Sequence, residues 1–187
     1  MRKVEINKNA FVYPMPMTLV GSVVNGRPNF MAVAWVNRVN YEPPMIGVAL
    51  GPHHTNKGIE EHAEFSVSIP SIDLLMLTDY CGLRSGERYD KSALFELFSG
   101  KLAFAPMIQQ CPVALECRLV ESVKLPSNTF FIGEIVGAYS EERYMTDGKP
   151  DIQKIKPFTL TMPDNTYWAV GEQVGEAWGS GKEFKST

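Results

Sequence analysis

Asn25-Gly26 is the feature that most restricts what this chain can become. Both residues accept positive φ, which a two-residue hairpin turn needs if its twist is to match the strands it joins. β-rich runs flank it, Met17 to Val24 and Phe30 to Val39. A turn this tight makes those runs antiparallel neighbours. Further short runs follow: Met45 to Leu50, Glu64 to Ile69, Val113 to Leu119 and Phe130 to Tyr139. Glu42-Pro43-Pro44 ends the second run, because proline cannot donate to a ladder. In the fifth, Val113, Leu115, Cys117 and Leu119 alternate with Ala114, Glu116 and Arg118, which predicts one wet face. At least six strands with few helices predict a closed, mainly β barrel rather than a βαβ sheet. Short helices are expected over Thr55 to His62, with Thr55 as cap, over Ile72 to Tyr80 and over Lys91 to Phe98. The aromatic tail from Pro157 to Lys182 is too apolar to stay free and should pack on the barrel or on a second subunit.

A length of 187 residues suits one domain over residues 1–187. The net charge of −3 argues against nucleic acid as a partner, since phosphate binding calls for a basic excess. No apolar run reaches the length of a membrane span, and the charged start Met1-Arg2-Lys3 is unlike a secretory signal. Cys81, Cys111 and Cys117 are an odd number of cysteines in a chain able to build its own core. A reducing cytoplasm is therefore expected, not a disulfide framework.

Several chemistries lack their residues. No G-x-G-x-x-G follows a strand, no G-x-S-x-G occurs, and the cysteines have no C-x-x-C spacing. Gly175 to Lys182 only approximates a phosphate loop and reads as a turn. Two of the three histidines, His53 and His54, are adjacent, so their side chains diverge and a three-histidine metal site is not expected. Redox or transfer chemistry here would need a bound organic cofactor.

Three segments could hold a flavin. In Pro28 to Trp35, Ala32 and Ala34 leave room for backbone to approach a flat ring, and Asn29 could bond a ring edge; the same residues also describe a buried strand starting at a turn. In Gly51 to Gly58, Thr55 and Lys57 bring a hydroxyl and a cation to a helix start whose N–H groups suit a phosphate; the plain alternative is a capped helix with a solvated lysine. In Cys81 to Lys91, Arg84, Ser85 and Lys91 could face an anion from a polar loop that could equally be a surface connection.

Taken in order, these segments resemble the flavin reductase-like family of FMN-binding split barrels, particularly its flavoredoxin and archaeal ferric reductase branch. The resemblance rests on Asn29, Met31 and Trp35, on Pro43-Pro44, on His54-Thr55, and on Phe65 and Val67. It continues through Cys81-Gly82, Ser85-Gly86 and Asp90-Lys91, then Phe131-Ile132-Gly133-Glu134, and Tyr167-Trp168 with Gly171. Departures are Ala32 where threonine is common, Ser92 where phenylalanine is common, and Asn128 or Thr129 where many relatives have histidine.

The resemblance implies a Greek-key split barrel with a few short helices. It also implies a homodimer with non-covalent FMN near the interface. The cofactor would be held by Asn29, Met31, Ala32, Val33, Ala34, Trp35, Gly51, His53, Thr55, Asn56, Lys57, Ser85, Gly86 and Lys91. Electrons would pass from NAD(P)H or a protein donor to an acceptor such as flavin or ferric chelate; the alternative is a non-catalytic carrier of the flavoredoxin type. It names no acid–base residue. Cys81 could lie near the flavin or be a plain buried thiol.

Overall fold

A computed structural model describes residues 1–182 and 184. In chain order, β1 spans Met15–Pro16, β2 Thr18–Val24, β3 Arg27–Val33, β4 Val36–Asn40 and β5 Met45–Leu50. Helix α1 (His54–His62), strand β6 (Glu64–Ile69) and helix α2 (Leu75–Leu83) follow. Then come β7 (Leu97–Phe98), β8 (Met107–Ile108), β9 (Val113–Lys124) and β10 (Thr129–Ser140). The chain continues with the pair β11 (Met145–Thr146) and β12 (Lys149–Pro150), the short helix α3 (Ile152–Ile155), and β13 (Phe158–Thr161) and β14 (Thr166–Ala169), which form a three-stranded sheet with β1 in the order β1-β13-β14.

The hairpin turn forms as its residues predict, with Asn25 at φ 50° and Gly26 at φ 72° and Val24 opposite Arg27. The run from Phe30 to Val39 is not one strand. It breaks at Ala34-Trp35 into β3 and β4, so the main sheet has seven strands, in the order β3-β2-β6-β9-β10-β5-β4. This break closes the fold. β3 and β4 are two residues apart in sequence yet lie at opposite ends of the strand order. A flat sheet would hold them some 29 Å apart, six spacings of about 4.8 Å each, and the three steps from Val33 to Val36 span at most about 11 Å. The sheet must therefore curl until its two edges meet at Ala34-Trp35. Register shifts at Ile132/Gly133 and Ile135/Gly137 in the long β9–β10 pair help it bend. The mainly β split barrel expected from the sequence is the fold found.

Inside the barrel, Val20, Met31, Val33, Val36, Val48, Phe65, Cys117 and Phe131 form the core. Leu19 and Phe30, on the opposite face of the same hairpin, join Cys81, Phe95, Ile108 and Cys111 in a second cluster, with α2's Leu77 packed against it. Adjacent residues thus serve two cores, because side chains alternate along a strand.

Four sequence expectations need correction. Lys91 to Phe98 is not a helix: only a single tight turn forms over Ser92–Leu94, because Leu97 and Phe98 pair with β8. The helix expected from Ile72 opens with a tight turn and becomes regular only at Leu75. Thr55 does not cap α1; His53 holds the cap position with extended backbone, and Thr55 sits buried inside the first turn. Nor is Glu116 on a wet face, being 0% exposed. The tail packs in part: Phe158 is buried edge-on against Tyr167, whose hydroxyl donates to Asp79 at 2.7 Å, while Trp178 is 94% exposed. No helix among the described residues is long and apolar enough to cross a membrane.

Glu116 is satisfied rather than solvated. Its carboxylate accepts from the Lys101 and Leu102 backbone N–H groups at 3.0 and 2.8 Å and from the Tyr139 hydroxyl at 2.5 Å. Burial pushes its pKa up, but the hydrogen bonds outweigh that and hold it below the usual glutamate value. Its contribution to stability is therefore complete above the unfolded-state pKa and fades as pH falls through the lower folded value. Glu116→Gln turns one acceptor towards donors and should cost about 1–3 kcal/mol in urea denaturation at neutral pH. The gap from wild type should narrow on acidification; a variant as stable as wild type at neutral pH contradicts this account.

Candidate functional site

Helix α1 is pinned to the β2–β3 hairpin by the absence of a side chain. A Cβ on Gly58 would collide with the Val23 carbonyl oxygen. The close approach brings the first turn of α1 beside the start of β3, where Asn29 Nδ2 donates to Thr55 Oγ1 at 2.7 Å. Asn56 Nδ2 ties the same turn back to the Gly51 carbonyl at 2.8 Å. Opposite, the loop after α2 approaches equally closely: a Cβ on Gly86 would strike Asn29 Oδ1.

Between these elements lies a cavity of about 830 Å³. Asn29, Met31, Ala32, His53, Thr55, Asn56, Lys57, Ser85, Gly86 and Lys91 line it, so ten of the sequence-predicted residues converge from four segments. Val33, Ala34, Trp35 and Gly51 do not reach it. They line an adjoining cavity of about 420 Å³ that shares Met31, Ala32 and His53 with the first and is bounded also by Asn128 and Met162. Cys81, given from the sequence as either near the flavin or a plain buried thiol, lines the cavity, and the sequence reading missed Gly82, Glu87, Lys124 and Thr129. For Glu87 the signal was its place inside the Ser85–Lys91 run. For Thr129 the signal was its place at one of the two positions where many relatives have histidine; for Lys124 there was none, because it reaches the site only through its pairing with Thr129 across β9–β10.

The two ends of the cavity differ. At one end is the first turn of α1, whose leading N–H groups have no acceptor within the helix. Nearby, Lys57 Nζ pairs with Glu87 at 2.8 Å; that bond holds the Glu87 carboxyl below its ordinary pKa. His54 Nδ1 is buried without a hydrogen bond, 3.6 Å from the same carboxylate. At the other end, Ala32 and Gly82 face each other closely enough that a Cβ on Gly82 would lie 3.3 Å from that of Ala32. Small residues there leave a slot without bulky walls.

Burial pushes the Cys81 thiol up to about 11, so it stays protonated at neutral pH and is no nucleophile. His53 is held below its ordinary value, first by burial and then by the charge of Lys91. No group of three or more His, Cys, Asp or Glu residues among those described could hold a metal ion. An anion-receptive end, a slim slot and no acid–base pair suit a flat cofactor with a phosphate tail.

Comparison with known proteins agrees. Residues 10–152 match the model of the flavin reductase like domain, and the chain belongs to that family. Flavoredoxin from Methanosarcina acetivorans is 54% identical with a TM-score of 0.95, the match covering 97% of this chain and 98% of that one. Flavoredoxin of Desulfovibrio vulgaris (Miyazaki F) is 35% identical with a TM-score of 0.90, over 97% and 100% of the two chains. A ferric-chelate reductase (NAD(P)H) of Archaeoglobus fulgidus is 25% identical over 122 residues, 64% of this chain and 72% of that protein.

Gly58 allows a test of how the site is held. Glycine to alanine within a helix ordinarily gains about 1 kcal/mol. Here the added methyl meets backbone, so Gly58→Ala should instead cost about 1–3 kcal/mol in urea denaturation. A stabilised Gly58→Ala variant would show that α1 does not rest on Val23 as described.

Proposed function

We propose that this protein binds FMN in the 830 Å³ cavity and passes electrons through it from NAD(P)H or a protein donor to an acceptor such as flavin or ferric chelate. The observation that carries the reading is the convergence of the α1 first turn, the Ser85-Gly86 loop and the Ala32–Gly82 slot on one cavity. The first turn of α1, with Thr55 and Lys57, would receive the phosphate. Ala32 and Gly82 would admit the ring, and Ser85 and Gly86 would close over the chain between. When bound, FMN supplies a two-electron redox centre, which this chain's side chains lack. The protein's part is to bind it, orient it and leave one side open; the adjoining cavity bounded by Trp35, Asn128 and Met162 is where a donor or acceptor would approach.

A second reading, a flavoredoxin-type carrier without NAD(P)H turnover, is favoured by two observations. The solved relatives described above are flavoredoxins. Asn128 or Thr129 also stands where many relatives carry histidine. Anaerobic addition of NADH or NADPH to the yellow protein separates the readings: bleaching within turnover time supports the oxidoreductase, and bleaching only by a reduced protein donor supports the carrier.

We further propose a homodimer. Val39, Tyr41, Val120, Val123, Leu125 and Trp168 are exposed and apolar, more than a lone chain of this size comfortably leaves in water. The three free, buried thiols suit a reducing cytoplasm. Sedimentation should give twice the chain mass, and a monomeric holoprotein contradicts the dimer.

Cofactor identity has its own test. Denaturation should release FMN, and a protein that releases FAD or cannot be reconstituted with FMN refutes the central claim. Lys57→Ala should weaken FMN binding roughly tenfold, the low end for a charge-assisted hydrogen bond, because Lys57 is 61% exposed and already engaged by Glu87. Riboflavin, which lacks the phosphate, should bind the variant as it binds wild type. An unchanged FMN-to-riboflavin ratio removes Lys57 from the phosphate site.

A further inference from the structure

Every charged side chain lining the cavity is solvated or paired except one. Lys91 is 3% exposed and lines both the flavin cavity and the neighbouring recess beside the β2–β3 turn. Its Nζ donates to the carbonyl oxygens of Cys81 at 3.1 Å and Arg84 at 2.8 Å. Among the described residues no carboxylate lies within ion-pair distance of it. Taking an ammonium out of water without a counter-charge is expensive, and carbonyl dipoles offset only part of the cost. A lysine that only tied the loop to α2 could have been a neutral donor. The field of this charge also reaches the cavity walls. It adds to burial in lowering the pKa of His53 and works against burial at Cys81.

We propose that the buried Lys91 ammonium is the residue that biases this cavity towards the reduced, anionic form of the flavin. The inference rests on the FMN reading above. Two electrons and one proton convert the neutral oxidised ring into a ring with one net negative charge. A fixed cation in a poorly solvated cavity stabilises that product over the starting form. Charge near the flavin ring is a general means by which a protein tunes the cofactor. Lys91 is fixed against Cys81, next to Gly82 at the slot, and against Arg84, and it shares the adjoining recess with His54 and Glu87; the phosphate end has its own cation in Lys57, so the ring is the partner assigned to Lys91. The phosphate carries the same charge in both oxidation states, so a lysine serving it would not discriminate between them.

The test compares affinities for oxidised FMN and for dithionite-reduced FMN, under anaerobic conditions, in wild type, Lys91→Gln, Lys91→Met and Lys91→Arg. Midpoint potentials of the bound flavin are measured in parallel. The neutral variants should lower the ratio of reduced to oxidised affinity at least tenfold, which is a fall of about 30 mV for a two-electron couple. Lys91→Arg, which keeps the charge, should stay within about threefold of wild type. Lys91→Gln can still donate to the Cys81 and Arg84 carbonyls, so it keeps the loop pinned if Lys91→Met unfolds. Leu83→Asp adds an opposing charge at an exposed lining position, where folding is not at stake, and should lower the same ratio. Lys57→Gln should weaken both oxidation states equally. Neutral variants that lose affinity for both forms in proportion overturn the proposal, as does an Arg variant that falls as far as Gln, or a Leu83→Asp variant with an unchanged ratio. A wild-type protein that binds neither form refutes the FMN reading itself.

Discussion

The closure at Ala34-Trp35 governs the rest of the molecule. Two residues link strands that stand at opposite ends of a seven-strand order, so the sheet has to wrap. Wrapping leaves Val20, Val48, Phe65 and Phe131 facing one another without water, the main source of cohesion in a fold of this size. It also turns the outer face of the β2–β3 hairpin towards α2, so that Phe30 and Leu19 lie under Cys81 and Phe95. The cavity forms where these two layers part, between the start of β3, the start of α1 and the end of α2.

Close backbone approach, more than side-chain chemistry, shapes that cavity. Gly58 lets α1 rest on the Val23 carbonyl, and Gly86 lets the following loop rest on Asn29. Asn29 is the shared reference point: its Nδ2 holds Thr55, and its Oδ1 limits how near the loop can come. Charges are then placed with unequal freedom. Lys57 is exposed and paired with Glu87, whereas Lys91 is fixed and enclosed. On the reading proposed above, an exposed cation suits capture of a phosphate, and an enclosed one suits a constant field on whatever fills the slot.

Glu116 shows the same economy away from the site. A carboxylate on a strand that alternates cleanly would face water, yet here it collects two backbone N–H groups and a tyrosine hydroxyl beneath the segment that follows β7. The segment's orphan donors needed an acceptor, and a charged one is stronger than a neutral one. The carboxylate is thus a local organiser of irregular chain rather than part of the chemistry.

The sequence alone determined the hairpin, the β class and the chain order of most main-sheet strands, while ten residues of the cavity came through the family resemblance. Those depend on local properties: positive φ at Asn25-Gly26, proline at the end of a strand, period-two apolarity, and short motifs spaced along the chain. It also carried the family resemblance, because the motifs keep their order even where Ala32 or Asn128 departs from it. Only the tertiary structure decided that Phe30 to Val39 is two strands, since the break follows from barrel closure and not from any residue that cannot continue a strand. Only it separated Val33 to Trp35 and Gly51 from the main cavity, placed Glu116 indoors and enclosed Lys91. Each of those depends on what a distant segment brings to the same point in space, through strand pairing or an approach that only a glycine permits. A linear pattern shows that such residues are present but not which of them meet.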